Sequence, residues 1–213
     1  SQQEDARLDF ENVAPLPEVL EDALVRQIEK ALPDLDAVIV ADQFEHHGVV
    51  TEAVREALIE LAVAHPDRVF VADSRVRIGL FSQMVLKPNW GEAAMATGYD
   101  PAKEEGALQL AVAAGLARAA ERPVFLTLSS KGVLVAGERS VRIPAAPVKP
   151  PLDPVGAGDT FVATVATALA AGASPVEAGA LANLAAAVIV EKLNETGTAT
   201  PAEIVGRYER ARG

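Results

Sequence analysis

The densest chemistry in the chain lies in Asp153-Pro154-Val155-Gly156-Ala157-Gly158-Asp159-Thr160, directly before an alanine-rich stretch that begins near Phe161. Gly156 and Gly158 lack the Cβ atoms that would keep a ligand away, so the backbone N–H groups around Gly156, Ala157 and Gly158 can approach an anion closely. A helix starting there adds its unpaired N–H groups and the positive end of its dipole. Asp159 then stands in a first helical turn, where a carboxylate either stabilises the helix or faces whatever the turn binds.

The octet resembles the Asp-x-x-Gly-Ala-Gly-Asp signature of ribokinase-like (PfkB) carbohydrate kinases, including its place before a long small-residue helix near the C-terminus. By that resemblance, Asp159 is the catalytic base that takes a proton from a sugar hydroxyl as it attacks the γ-phosphate of ATP. Gly156, Ala157 and Gly158 are then the anion hole for the transferring phosphoryl group, a reaction in which positioning and electrostatics supply most of the catalysis. Asp153 and the backbone near Val155 correspond to the place where many members hold a monovalent cation such as K⁺.

Three further segments extend the resemblance. Asn89-Trp90-Gly91-Glu92 is similar to the Asn-x-x-Glu motif of these kinases, which acts near Mg²⁺ and the phosphates largely through water. Taken by themselves, the same residues fit an Asn N-cap with Glu at the third helical position. Thr127-Leu128-Ser129-Ser130-Lys131-Gly132 corresponds to the strand and turn lining the nucleotide site, with Ser129 where the family usually has Gly. A Ser there implies a more ordinary backbone conformation and either a narrower approach to phosphate or a donated hydroxyl. Asn183 matches the helix beside the adenine, and Thr198, in Thr196-Gly197-Thr198-Ala199-Thr200-Pro201, the closing loop. Within the family, Arg7 to Glu11, the strand ending at Asp42 and residues 197 to 204 look most like bacterial heptose 7-phosphate kinases. Asp42 is thereby a candidate substrate contact. Those enzymes commonly place Lys and Gly shortly after it, whereas this chain has Gln43-Phe44-Glu45-His46-His47-Gly48. Arg75 and Arg77 are read either as contacts to a substrate phosphate or as surface residues, and His46 and His47 as an exposed pair or as ligands of a sugar phosphate or metal.

Composition sets outer bounds. At 213 residues, half of them hydrophobic, the chain can bury a sizeable core and reads as one domain, residues 1–213. A formal net charge of -11 argues against nucleic acid or an anionic membrane as partner. With no Cys there is neither a disulfide framework nor a thiol nucleophile, which fits a reducing cytoplasm. The start, Ser1-Gln2-Gln3-Glu4-Asp5, lacks the basic and apolar run of a signal peptide.

The elements that must position these residues alternate. Helical spacing covers Glu18 to about Leu32, Val49 to Ala64, a short stretch through Met95, Pro101 to Ala120, Ala157 to Ala171, Pro175 to Leu193 and Pro201 to Arg212. Strand patterns occupy Arg7 to Phe10, Ala37 to Ala41, Arg68 to Ala72, Met84 to Leu86 and Val124 to Leu128, with an antiparallel pair from Gly132 and Ser140 around Gly137-Glu138. Such alternation implies an α/β three-layer sandwich with a mainly parallel sheet, whose ligands bind beyond the carboxyl ends of the strands. Asp42, Asp73, Asn89 with Glu92, and Thr127 to Gly132 should therefore share one rim.

Set beside a full ribokinase-like chain, the sequence corresponds to the latter, nucleotide-binding part. The paired-glycine sugar motif and the small sheet that closes as a lid, through which members often dimerise, are expected to be missing, as if the fold were truncated at its N-terminus. The expected function is ATP- and Mg²⁺-dependent phosphorylation of a sugar or sugar phosphate. The alternatives are a kinase of a nucleoside or vitamin alcohol, and a non-catalytic nucleotide-binding or interaction module.

Overall fold

The computed structural model describes residues 12–193 and 198–212; the strand expected over Arg7 to Phe10, and Thr196 and Gly197 of the closing loop, lie outside them. Among the described residues six strands form one sheet in sequence order: β1 (Ala37–Asp42), β2 (Val69–Ser74), β3 (Val85–Leu86), β4 (Val124–Thr127), β5 (Val133–Ala136) and β6 (Val141–Ile143). The first four run parallel, and β4, β5 and β6 are antiparallel neighbours. Among the described residues seven α-helices accompany them: α1 (Glu18–Ala31), α2 (Glu52–Ala64), α3 (Trp90–Ala96), α4 (Gly106–Ala120), α5 (Ala157–Ala170), α6 (Pro175–Ile189) and α7 (Pro201–Arg212).

Strand alternation divides the core. Phe70, Ala72, Val124, Leu126, Leu134 and Ala136 face a cluster that includes residues of α2, α3 and α4. Their neighbours Val71, Phe125, Val133 and Val135 face α5 and α6. That period of two gives the sheet its two covered faces, as a three-layer sandwich requires. Among the described residues strand β1 stands at one end of the sheet, and Ile39 on it is 40% exposed.

Small residues bring α5 and α6 close to the sheet. A Cβ at Gly179 would lie 2.8 Å from Val135 Cγ2, so α6 can sit at its depth only with Gly at that position. Phe161, in the first turn of α5, meets Phe125 of β4 edge-on at 6.4 Å. The N-terminus of α5 is thereby fixed relative to the sheet's carboxyl edge.

Two helix boundaries differ from the sequence pattern. The helix expected from Pro101 begins at Gly106, because Asp100 closes a turn by accepting from Ala102 N with its side chain and from Lys103 N with its carbonyl. The Pro101 carbonyl accepts from Trp90 Nε1 at 2.8 Å, which holds this segment to α3. Helix α6 ends at Ile189 rather than Leu193; there the Val190 carbonyl takes the Asp153 N–H at 2.8 Å, tying the segment before α5 to the end of α6.

Helix α7 is tied down by charge. Glu203 accepts from Thr200 N and Oγ1, each at 2.8 Å, and lies 2.8 Å from Lys192 Nζ. The Lys192 contact, then the Thr200 donors, hold its carboxyl down to about 2 from 4.5. A depressed folded-state value means that this contribution is complete above the unfolded value and vanishes as the carboxyl protonates. The stability difference between the parent and Glu203→Gln should be full above about pH 4.5 and disappear toward pH 2, as read by denaturant titrations across that range.

Candidate active site

The carboxyl ends of the strands do form one rim. Asp42 stands in register with Ser74, and Ala41 with Asp73; Lys87 N donates to Ala72 O at 3.0 Å, and Asn89 bridges to Thr127. Helix α5 approaches with Gly156 as its N-cap, in the left-handed region at φ 76°. The first bond of α5 is Thr160 N to Gly156 O, and Ala157 N donates to Pro154 O at 3.2 Å. Of the three N–H groups expected to form the anion hole, that of Ala157 is thus engaged in a turn. Those of Gly156, Gly158 and Asp159 have no protein acceptor among the described residues. The Asp159 side chain is exposed at the third helical position.

Beside this turn opens a cleft of about 480 Å³ lined by Thr127, Ser129, Gly132, Ala157, Gly158 and Asn183, with apolar walls from Leu152, Phe161 and Val190. Four of the five residues read as nucleotide contacts therefore share one cleft. Thr198 is not among the lining residues; its carbonyl accepts from Lys192 Nζ at 2.7 Å. Asn183 Nδ2 donates to Ile143 O and Pro144 O at 3.3 and 3.1 Å, pinning the segment after β6 that forms the cleft wall.

Ser129 departs from the expectation of an ordinary backbone: its φ is 50°, the left-handed region in which Gly is the usual residue. The short turn from Leu128 to Gly132 imposes this, since Gly132 N donates to Ser129 O and Leu128 N to Gly132 O.

Asn89 and Glu92 form a reciprocal capping box on α3: Asn89 Oδ1 accepts from Glu92 N at 2.9 Å, and Glu92 Oε2 from Asn89 N at 2.7 Å. Burial pushes the Glu92 carboxyl up, with the Asn89 N–H and the Lys87 ammonium acting against it. Among the described residues no group of three or more His, Asp or Glu side chains is arranged to hold a metal ion. Mg²⁺ does not require one, since it keeps several waters and binds through one or two carboxylates plus substrate phosphates. Glu92, whose carboxyl feels the Lys87 ammonium, is a carboxylate of that kind.

Asp153 uses Oδ1 to accept from Val155 N at 3.0 Å, which shapes the turn into α5. Asp42 is 2% exposed, and both its oxygens are engaged: Oδ2 by Ser74 Oγ at 2.6 Å and Arg77 Nε at 2.9 Å, Oδ1 by an Arg77 terminal nitrogen at 2.6 Å. Arg77 also donates to the Phe44 and Glu45 carbonyls. The Asp42 contact holds the guanidinium above its ordinary value. Arg77 thus clamps the 43–48 loop to the end of β1, and His46 and His47 lie exposed within that loop. Arg77→Met leaves the Asp42 carboxylate buried with only Ser74, and should destabilise the chain by about 3 kcal/mol in urea titrations.

A residue that leads into the Asn89 motif, and to which the sequence reading assigned no role of its own, lies against the turn at the start of α5. Lys87, between β3 and α3, is 6% exposed and its Nζ lies 3.1 Å from Asp73 Oδ2. Burial pushes the Asp73 carboxyl above its ordinary value, with Lys87 acting against this and the nearby Asp159 charge adding to it. A charged residue directly after an apolar strand and before Pro88 was the available signal.

Residues 16–203 match the pfkB family of carbohydrate kinases. The chain belongs to that family. It is 38% identical over 192 residues to the bifunctional protein HldE of Caulobacter sp. strain K31, an alignment covering 86% of this chain and 38% of that protein. Against the bifunctional protein HldE of Wolinella succinogenes it is 33% identical over 205 residues, 96% of this chain and 42% of the relative. The pfkB chain thus spans about two fifths of the length of these relatives. Its fold resembles phosphofructokinase-2 from Escherichia coli in complex with potassium (TM-score 0.70, 18% identity, 89% of this chain and 62% of that one). It also resembles ribokinase from Thermotoga maritima (TM-score 0.65, 21% identity, 84% and 59%). The expected ribokinase-like α/β sandwich is the observed one.

Proposed function

We propose that this chain carries the nucleotide-binding and phosphoryl-transfer half of a sugar kinase, moving the γ-phosphate of Mg-ATP to a hydroxyl of a sugar or sugar phosphate. One observation carries the reading: an exposed Asp159 and the unpaired N–H groups of Gly156, Gly158 and Asp159 belong to the turn whose Ala157 and Gly158 line a cleft of about 480 Å³. In this reading the apolar walls and Asn183 hold the base and ribose, and the phosphates lie along Thr127 to Gly132 toward the N-terminus of α5. Asp159 accepts the proton of the attacking hydroxyl as the new P–O bond forms and the bond to the ADP oxygen breaks. The free N–H groups stabilise charge on the transferring phosphoryl oxygens, where preorganised donors contribute most. Asn89 and Glu92 would hold Mg²⁺ near the phosphates, and the ion when bound would supply charge neutralisation. Asp153 has its second oxygen available for a monovalent cation, since among the described residues only Oδ1 is engaged.

The acceptor proposed is a sugar phosphate of the heptose 7-phosphate type, on the strength of the sequence resemblance and of the HldE relatives. No helix among the described residues is long and apolar enough to cross a membrane. The reading is tested by titrating Mg-ATP into this chain calorimetrically and by measuring ADP release with a panel of sugars and sugar phosphates, on this chain and on any longer polypeptide that contains it. Saturable Mg-ATP binding with acceptor-dependent ADP release supports it. Absence of Mg-ATP binding overturns it.

A further inference from the structure

A lysine buried beside an anion-binding turn calls for an explanation in terms of charge. The backbone of Lys87 is fixed on both sides: its N–H donates to Ala72 O, and the next carbonyl, that of Pro88, accepts from Thr127 N at 2.9 Å and Oγ1 at 3.3 Å. The side chain therefore starts from a rigid point on the rim and runs inward to Asp73, the two side chains 7% and 8% exposed. As a stabilising device such a pair is poor, since two ions lose their hydration and an apolar pair of similar volume commonly does as well.

The position of the ammonium is more informative. A Cβ built on Gly158 would lie 3.9 Å from Lys87 Nζ. The N–H groups of Gly158 and Asp159, which have no acceptor among the described residues, belong to that same turn, and Gly158 extends no side chain toward the ammonium. An ammonium has three donors, and Asp73 takes one direction of them. The remaining donors of the ammonium and these two amides are thus carried by neighbouring groups, and the Asp159 charge is near enough to act on Asp73. A tetrahedral oxyanion with several acceptor oxygens is the group that satisfies both sets of donors at once.

We propose that Lys87 is the cation that binds the terminal phosphoryl group at the N-terminus of α5, and that Asp73 is the positioning residue that holds its ammonium over Gly158. This deepens the kinase reading and rests on it. Lys87 stays protonated throughout, so the proton from the acceptor still goes to Asp159. Asp73 acts only through Lys87, keeping it from pairing with Asp159 when the site is empty.

The test compares Mg-ATP with Mg-ADP, which differ only in the terminal phosphoryl group, by calorimetric titration of this chain. Lys87→Gln alone leaves a buried carboxylate, so the Lys87→Gln/Asp73→Asn double variant, which removes both charges, is measured beside it, and a thermal melt verifies that each folds. The double variant is expected to bind Mg-ATP about 30-fold more weakly while Mg-ADP affinity stays within about threefold. Lys87→Arg should recover much of the difference, because it restores a cation at the same point. Asp73→Asn, with the lysine intact, should keep the preference for Mg-ATP but lower kcat for the acceptor reaction about tenfold. If the parent chain binds both nucleotides and the double variant weakens them equally or not at all, the assignment of Lys87 is overturned and the kinase reading stands. If the parent chain binds neither, the kinase reading falls, and this inference with it.

Discussion

Replacing Asp159 by Asn is expected to lower kcat for sugar phosphorylation by about a thousandfold or more while Mg-ATP affinity changes by less than about threefold, because general-base catalysis contributes about 10²–10⁴ and the amide keeps size and polarity. The structure makes this substitution unusually clean. The Asp159 side chain is exposed, and among the described residues it makes no hydrogen bond or ion pair. The N–H groups around it belong to the backbone and survive the change. Loss of folding is thus not an available explanation, and a melting temperature within a few degrees of the parent should accompany the loss of turnover. Removing a negative charge beside the phosphates would if anything favour nucleotide binding, so the expected pattern is kcat down with nucleotide affinity held or improved. The pair of measurements is ADP release in a preparation that phosphorylates a sugar, and calorimetric titration of Mg-ATP. Turnover within tenfold of the parent would remove Asp159 from the base role. Loss of nucleotide binding with turnover would instead make it part of the phosphate site.

What the residues disclosed in advance, and what they did not, follows from the range of the interactions involved. The alternation of apolar runs and helical spacing placed the six described strands to within one or two residues, because burial on both faces of a parallel sheet imposes a pattern that short windows contain. The rim followed, since a chain that leaves each strand at the same edge must bring Asp42, Asp73, Asn89 and Thr127 together. Long-range pairings were not legible. Arg77, read as a possible phosphate contact, has its guanidinium on Asp42, which itself was read as a substrate contact; residues 35 apart show no such choice in sequence. The start of α4 was set by the Asp100 turn and by Trp90 reaching Pro101, a tertiary bond that overrides local helical preference. The sequence marked the place of Lys87 but not its burial, because lysine is normally a surface residue and only the positions of Asp73 and Gly158 show where its ammonium lies. The left-handed Ser129 shows the converse case, in which two hydrogen bonds of a tight turn decide the conformation against the residue's own preference.

The largest effect on stability should come from Gly132→Ala, at more than about 4 kcal/mol, a loss reached only when strain and overlap combine. Gly132 has φ 89° and ψ -138°, a conformation that residues with a Cβ rarely adopt. Conformation alone would cost about 1–2 kcal/mol. The overlap is the heavier part: an added Cβ would lie 2.1 Å from Ile143 O, 2.5 Å from Ala145 N and 2.6 Å from Pro144 C. All three are backbone atoms, so no rotamer change relieves them, and β6 with the segment after it must move away from β5. That segment carries Ala145, Ala146 and Val148 of the cleft wall, and Asn183 is bonded to its Ile143 and Pro144 carbonyls. Any molecules that remain folded should therefore lose nucleotide affinity as well, which couples the packing of β5 against β6 to the site. Gly98→Ala provides the control. Gly98 also has a positive φ, 75°, but nothing lies within 4 Å of the added Cβ. Its substitution should cost only about 1–2 kcal/mol and leave Mg-ATP affinity unchanged. Similar losses at the two glycines in urea titrations would mean that backbone conformation alone sets the cost, and that the turn at Gly132 yields more readily than its contacts indicate.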